Sequence, residues 1–148
     1  MEIILGQKAD FLRSQYIDTF VDQNLPYYFE RIATLRQYAD GQCYIGYLWD
    51  YLKQASTCPV EEALQMIQAC PTPIYVMWDI HSAENIIVEN YWKYPKNAVL
   101  SLSANEFHEY LSSFPDDIYV FSPQFNWTIA LTHEYIGENR YCRFHSSP

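Results

Sequence analysis

Glycine and positive charge are both scarce in this chain. Only 4 Gly and 8 Pro occur in 148 residues, which excludes collagen-like and linker-dominated chains. Lys and Arg total 9 against 18 Asp and Glu, a net charge of −9. Direct nucleic-acid binding rests on clustered cations and is therefore disfavoured. Long apolar runs are missing as well. The N-terminal run is only Ile3 to Leu5, between Glu2 and Gly6-Gln7-Lys8, so neither a secretory signal nor a span of about 20 residues is expected. The chain reads as cytosolic, with no membrane partner. Cys43, Cys58, Cys70 and Cys142 show no C-x-x-C spacing, which argues against a zinc ribbon or a disulfide framework. In a reducing compartment they are expected to be small buried hydrophobes.

What is present is apolar and aromatic. Hydrophobic residues make up 49 % and aromatics 18 %, enough to offset the ordering entropy of a folded core. The length suits a single domain over 1–148. The acidity is spread over both halves: residues 1–70 carry 5 basic and 9 acidic side chains, residues 71–148 carry 4 and 9. A field of that kind belongs to the folded surface and favours basic partners.

Helical spacing of Leu12, Tyr16, Ile17, Phe20 and Val21 predicts an amphipathic helix over 9–21, with Asp10, Arg13, Ser14, Asp18 and Asp22 outside. Asn24 and Pro26 are read as the start of a second helix that runs through Tyr28, Ile32 and Leu35 to Gly41. The most regular spacing, Tyr44, Tyr47, Leu48, Tyr51, Leu52 and Ala55, predicts a third helix between Gly41 and Ser56. Ser56 or Thr57 is expected to cap a fourth, with Val60, Ala63, Leu64 and Ile67 inward.

Beyond Pro73 the period changes. Residues 74–80 and 98–102 read as strands, and 81–97 as an irregular segment. Ser103 and Glu106 have capping-box spacing before a short helix with Phe107, Tyr110, Leu111 and Phe114 inward. Residues 118–121 and 127–132 read as an antiparallel hairpin, and Tyr141 to Phe144 as an added edge strand. The expectation is an α+β fold, N-terminal helices packed on a mostly antiparallel sheet of about four or five strands.

No complete catalytic set emerges from the motifs. His133-Glu134 begins like H-E-x-x-H, but the second His position is Gly137; a hydrogen-bonded structural role is expected there, with no metal. Asp79 and His81 alternate at a strand end, where an Asp can orient a His as general base, though such a pair also serves simply to close a strand. Cys142 and His145 have C-x-x-H spacing without evident further ligands. Gly41 and Gly46 have Walker-loop spacing, but Tyr47 and Leu48 stand where Lys and Ser or Thr belong. No cofactor is implied. Tyr91, Trp92 and Tyr94 lie among charges in a segment without a core period, and large rings surrounded by carboxylates make interface anchors.

The stretch DIYVFSPQFNWTIALTHE at 117–134 resembles a pattern in small bacterial proteins, among them immunity-type proteins encoded beside toxins. The matching positions are Phe121, Phe125, Trp127, Thr128, Thr132, His133 and Glu134; Ser122 stands where an acid is typical. YIGYLWDYL at 44–52 and YVMWDIHS at 75–82 resemble further blocks. The resemblance implies a C-terminal antiparallel hairpin, no established catalytic activity and a place in bacterial toxin defence. The leading expectation is thus an immunity protein, not an enzyme, that binds a cognate toxin domain, a basic nuclease, and occludes its active site. Its expected surface draws on Glu84, Glu89, Tyr91, Trp92, Asp116 and Asp117, or failing those on Asp10, Asp18 and Asp22. The alternatives are a small hydrolase or nuclease using Asp79, His81, His133 and Glu134, and a generic interaction adaptor.

Overall fold

The computed structural model describes residues 1–34, 36–38, 41–43, 46–78, 94–95 and 97–146. Its centre is a seven-stranded sheet, antiparallel at every pairing, in the order β1-β6-β5-β7-β8-β9-β4. The strands are β1 (Glu2–Ile4), β4 (Ser56–Pro59), β5 (Ile74–Trp78), β6 (Val99–Leu102), β7 (Ile118–Phe121), β8 (Trp127–Ile136) and β9 (Asn139–Ser146). A separate hairpin pairs β2 (Arg36–Tyr38) with β3 (Gly41–Cys43). Among the described residues the α-helices are α1 (Gly6–Phe20), α2 (Val60–Gln68) and α3 (Ala104–Tyr110).

Both faces of the sheet are covered. One carries α1, whose Leu12, Tyr16 and Phe20 pack with Met77, Tyr119, Phe121 and Ala130. The other carries α2 and α3, whose Ala63, Ile67 and Phe107 pack with Val76, Trp78, Ile118, Val120 and Leu131. Because side chains alternate along a strand, a strand covered twice must be apolar at every position. That is why β7 reads IYVF and all four residues are buried.

The α+β class and the 118–121 with 127–132 hairpin are as expected; Ile118 pairs with Leu131 and Phe121 with Thr128. The helices predicted at α1, α2 and α3 are present, and Ser103 and Glu106 form the capping box. The strand count is larger than expected because two edge strands come from the N-terminal half, β1 and β4. Ser56 and Thr57 therefore do not cap a helix but pair with Phe144 and Arg143. β9 is consequently interior, not an edge. Gly6 joins β1 to α1 at φ 59°, a left-handed conformation that glycine adopts without a Cβ clash.

Two predicted helices are absent among the described residues. Among the described residues, the segment from Asn24 to Gly41 contains a π-helical turn, Phe29–Ala33, and the strand β2. Between Gly41 and Ala55 lie β3 and a 3-10 turn, Leu48–Tyr51. Leu48, Tyr51 and Leu52 are buried as the spacing implied, yet Trp49 is buried too; Tyr44 lies outside the described residues. Tertiary bonds replace the helical ladder: Asp22 N donates to Tyr51 O at 2.7 Å, Lys53 N to Phe20 O at 2.8 Å and Trp49 N to the Tyr119 hydroxyl at 3.0 Å. Gly46 is required there, since a Cβ would stand 2.9 Å from Arg31 Cβ.

Candidate functional site

Asp117 immediately precedes β7 and shares the α1 face with Tyr119 and Phe121 by alternation. On β8, Ala130 faces α1 while Ile129 and Leu131 face away, so an unbroken strand would turn His133 away from Asp117. The strand is broken there. Leu131 pairs with Cys142 but Tyr135 pairs with Arg140, leaving three residues of β8 against one of β9. Bulges of this kind re-aim side chains, and His133 meets Asp117.

The contact is dense. His133 Nδ1 lies 2.9 Å from both carboxylate oxygens of Asp117. Asp117 Oδ1 also accepts from His133 N at 3.2 Å and from Trp49 Nε1 at 3.0 Å. Tyr47 and Trp49 stack, and the His133 ring sits 5.0 Å from the first and 5.9 Å from the second. On the outer side, His133 Nε2 is 3.6 Å from Glu134 Oε1. Burial pushes the Asp117 carboxyl above its ordinary value, opposed by the hydrogen bonds and charge of His133 and by Trp49. Chemically, a carboxylate that engages Nδ1 fixes the imidazole orientation and leaves Nε2 as the atom that can exchange a proton.

A second candidate surface lies on α1 and the turns that follow it. Asp10, Ser14 and Asp18 are exposed and Asp22 is half-buried. Among them stand exposed rings, Phe11 at 60 %, Tyr27 at 64 % and Phe29 at 76 % accessibility. Tyr27 adopts φ 67°, a left-handed conformation uncommon outside glycine, and the Arg31 guanidinium lies 5.4 Å from its ring centre. Arg13, expected on this outer face, is instead buried and donates to Trp78 O at 2.9 Å.

No family model, curated protein or solved structure matches the chain.

Of the residues expected to meet a partner, Asp116 is exposed. Asp117 is not: it is 5 % accessible and held by His133 and Trp49, so it cannot present its carboxylate to a partner. Glu84, Glu89, Tyr91 and Trp92 lie outside the described residues, as do Asp79 and His81. The structure thus brings His133 and Glu134 together with Asp117, Trp49 and Tyr47. Sequence reasoning missed Asp117 as the partner of His133, although the hairpin register carries the signal: continuing Ile118–Leu131 by one step sets Asp117 across from Thr132. Nothing local pointed to Trp49, which arrives through the tertiary fold.

Cys142 is buried directly across from Cys58, and burial pushes its thiol up to about 12. His145 Nδ1 is 2.7 Å from Lys53 O, so the C-x-x-H pair is divided between separate environments. Among the described residues no group of three or more His, Cys, Asp or Glu is arranged to hold a metal ion. No helix among them is long and apolar enough to cross a membrane.

Proposed function

We propose that this chain is an immunity-type protein that binds a toxin domain, a basic nuclease, and covers its active site. The observation that carries the reading is the exposure of Phe11, Tyr27 and Phe29 among Asp10, Asp18, Asp22 and Glu30. Exposed aromatic rings forgo their burial free energy, and exposed rings interspersed in sequence with carboxylates suit an interaction surface. Carboxylates around the rings, on a chain of net charge −9, attract a cationic partner and speed encounter. Asp116 adds an exposed carboxylate near the C-terminal hairpin, the region that resembles the immunity-type pattern.

The test uses the product of the gene beside this one, which the proposal requires to be the toxin. Asp10→Lys with Asp18→Lys is expected to slow association and flatten its salt dependence; Phe29→Ala is expected mainly to speed dissociation. Unchanged rates in both variants sink this surface, and failure of the wild-type chain to inhibit that toxin sinks the immunity reading. A second reading, hydrolysis with His133 as general base, is favoured by the Asp117–His133 contact. It requires an activity that His133→Ala abolishes while thermal stability is kept.

A further inference from the structure

Strand β4 ends the sheet and is paired within it to β9 alone. In that pairing Cys58 stands directly across from Cys142, and both are buried in the core on the α2 side as free thiols. Residues directly opposed in an antiparallel pair have Cα atoms about 4.5–5.5 Å apart, inside the span of about 4.4–6.8 Å that a disulfide bridges. Their Cβ atoms start about 4.5–5.5 Å apart, and a disulfide draws them to about 3.5–4.5 Å. The strand at the sheet's edge, held on one side only, takes up a shift of that size more readily than an interior strand does.

The two thiols differ in access. Cys142 is 0 % accessible and Cys58 6 %, and Cys58 lines an open pocket of about 220 Å³ with Thr57, Pro59, Ile136 and Asn139. The Ala63 amide, in the first turn of α2, hydrogen-bonds the Cys58 sulfur, and amides at a helix N-terminus favour a thiolate. Burial raises both thiols, so the pair is protonated while β4 is closed. A short edge strand is where local opening costs least. We propose that Cys58 and Cys142 are a redox pair, which a small disulfide of the glutathione class closes into a cross-strand disulfide with Cys58 exchanging first. Cys58, having lost its proton, attacks one sulfur of glutathione disulfide; a bond from Cys58 to glutathione forms, the reagent's sulfur bond breaks, and one glutathione leaves and takes up a proton. Cys142 then loses its proton and attacks the Cys58 sulfur, forming the Cys58–Cys142 bond and expelling the second glutathione as its thiol. Two protein thiols are oxidised and one glutathione disulfide is reduced to two thiols. The bond ties the β4 edge to the last strand of the sheet, and it does not rest on the toxin reading.

The full chain is equilibrated in buffers of reduced and oxidised glutathione, quenched in acid and mapped as unreduced peptides by mass spectrometry. A peptide pair joined through Cys58 and Cys142 is expected, lighter by two hydrogen atoms than the separate thiol peptides together. The equilibrium constant for forming it should be about tenfold larger in the native chain than in urea, because the strand register already holds the two residues together. Cys142→Ser should acquire a glutathione adduct on Cys58 faster than Cys58→Ser acquires one on Cys142. If either variant loses the folded state, the wild-type peptide map and the ratio between native and urea conditions decide. Absence of the joined peptides, pairing through Cys43 or Cys70 in their place, an equilibrium constant no larger in the native chain than in urea, or an adduct that forms faster on Cys142 overturns the proposal.

Discussion

Asp117 gathers three donors on one oxygen, from the His133 amide and ring and from the Trp49 indole. Removing one of them leaves a buried carboxylate less well satisfied, so His133→Ala should cost about 1–3 kcal/mol, read by urea unfolding at neutral pH. The carboxyl also has a pH signature. Burial raises its pKa, so the folded state keeps this proton to higher pH than the unfolded chain does. Its contribution to stability is therefore fully present below the ordinary carboxylate value and is lost as pH rises through the raised value. Asp117→Asn removes that slope. Across this window the difference in unfolding free energy, variant minus wild type, should shift in the variant's favour as pH rises. A difference that stays constant with pH would contradict the raised carboxyl.

At the scale of elements, the 3-10 turn Leu48–Tyr51 is fixed by its surroundings rather than by its own propensity. Leu48 is 1 % accessible inside the α1-side core, so Leu48→Ala should cost about 2–5 kcal/mol, the range for a core Leu. Chemical denaturation measures it, and a loss below about 1 kcal/mol would mean that the site collapses around the smaller side chain. The start of α3 is a local device by contrast. Ser103 Oγ accepts Glu106 N at 3.3 Å and Glu106 Oε2 accepts Ser103 N at 2.8 Å. Ser103→Ala should cost about 0.5–2 kcal/mol, the usual value of an N-cap, and a thermal melt with no shift would show that the cap contributes nothing net.

For the whole molecule the deciding features are charge and the doubly covered sheet. A net charge of −9 makes long-range attraction to a basic partner depend on ionic strength, with a screening length of about 8 Å at physiological salt. If the proposed toxin partner is the ligand, association should slow markedly between low salt and about 0.5 M salt, while dissociation changes little. A rate of association independent of salt, measured by stopped flow, would remove steering from the account.

The local part of this fold was legible in the residues. The spacing of Leu12, Tyr16 and Phe20, the Ser103–Glu106 pair and the apolar runs at 74–80, of which 74–78 form β5, and 118–121 each depend on neighbours close in sequence, so period and capping chemistry suffice to place them. Tertiary structure decided what depends on distant partners. The 41–55 segment has helical spacing, but Tyr, Trp and Gly46 are weak helix formers, and bonds to Phe20, Asp22 and Tyr119 outweigh a marginal local preference. The short edges β1 and β4 have no signal of their own because three or four residues acquire strand character only from the strand beside them. The same holds for the Asp117–His133 contact. Its residues were visible one by one, but an irregularity in β8 pairing turns His133 toward Asp117, and a register shift is a property of two strands together.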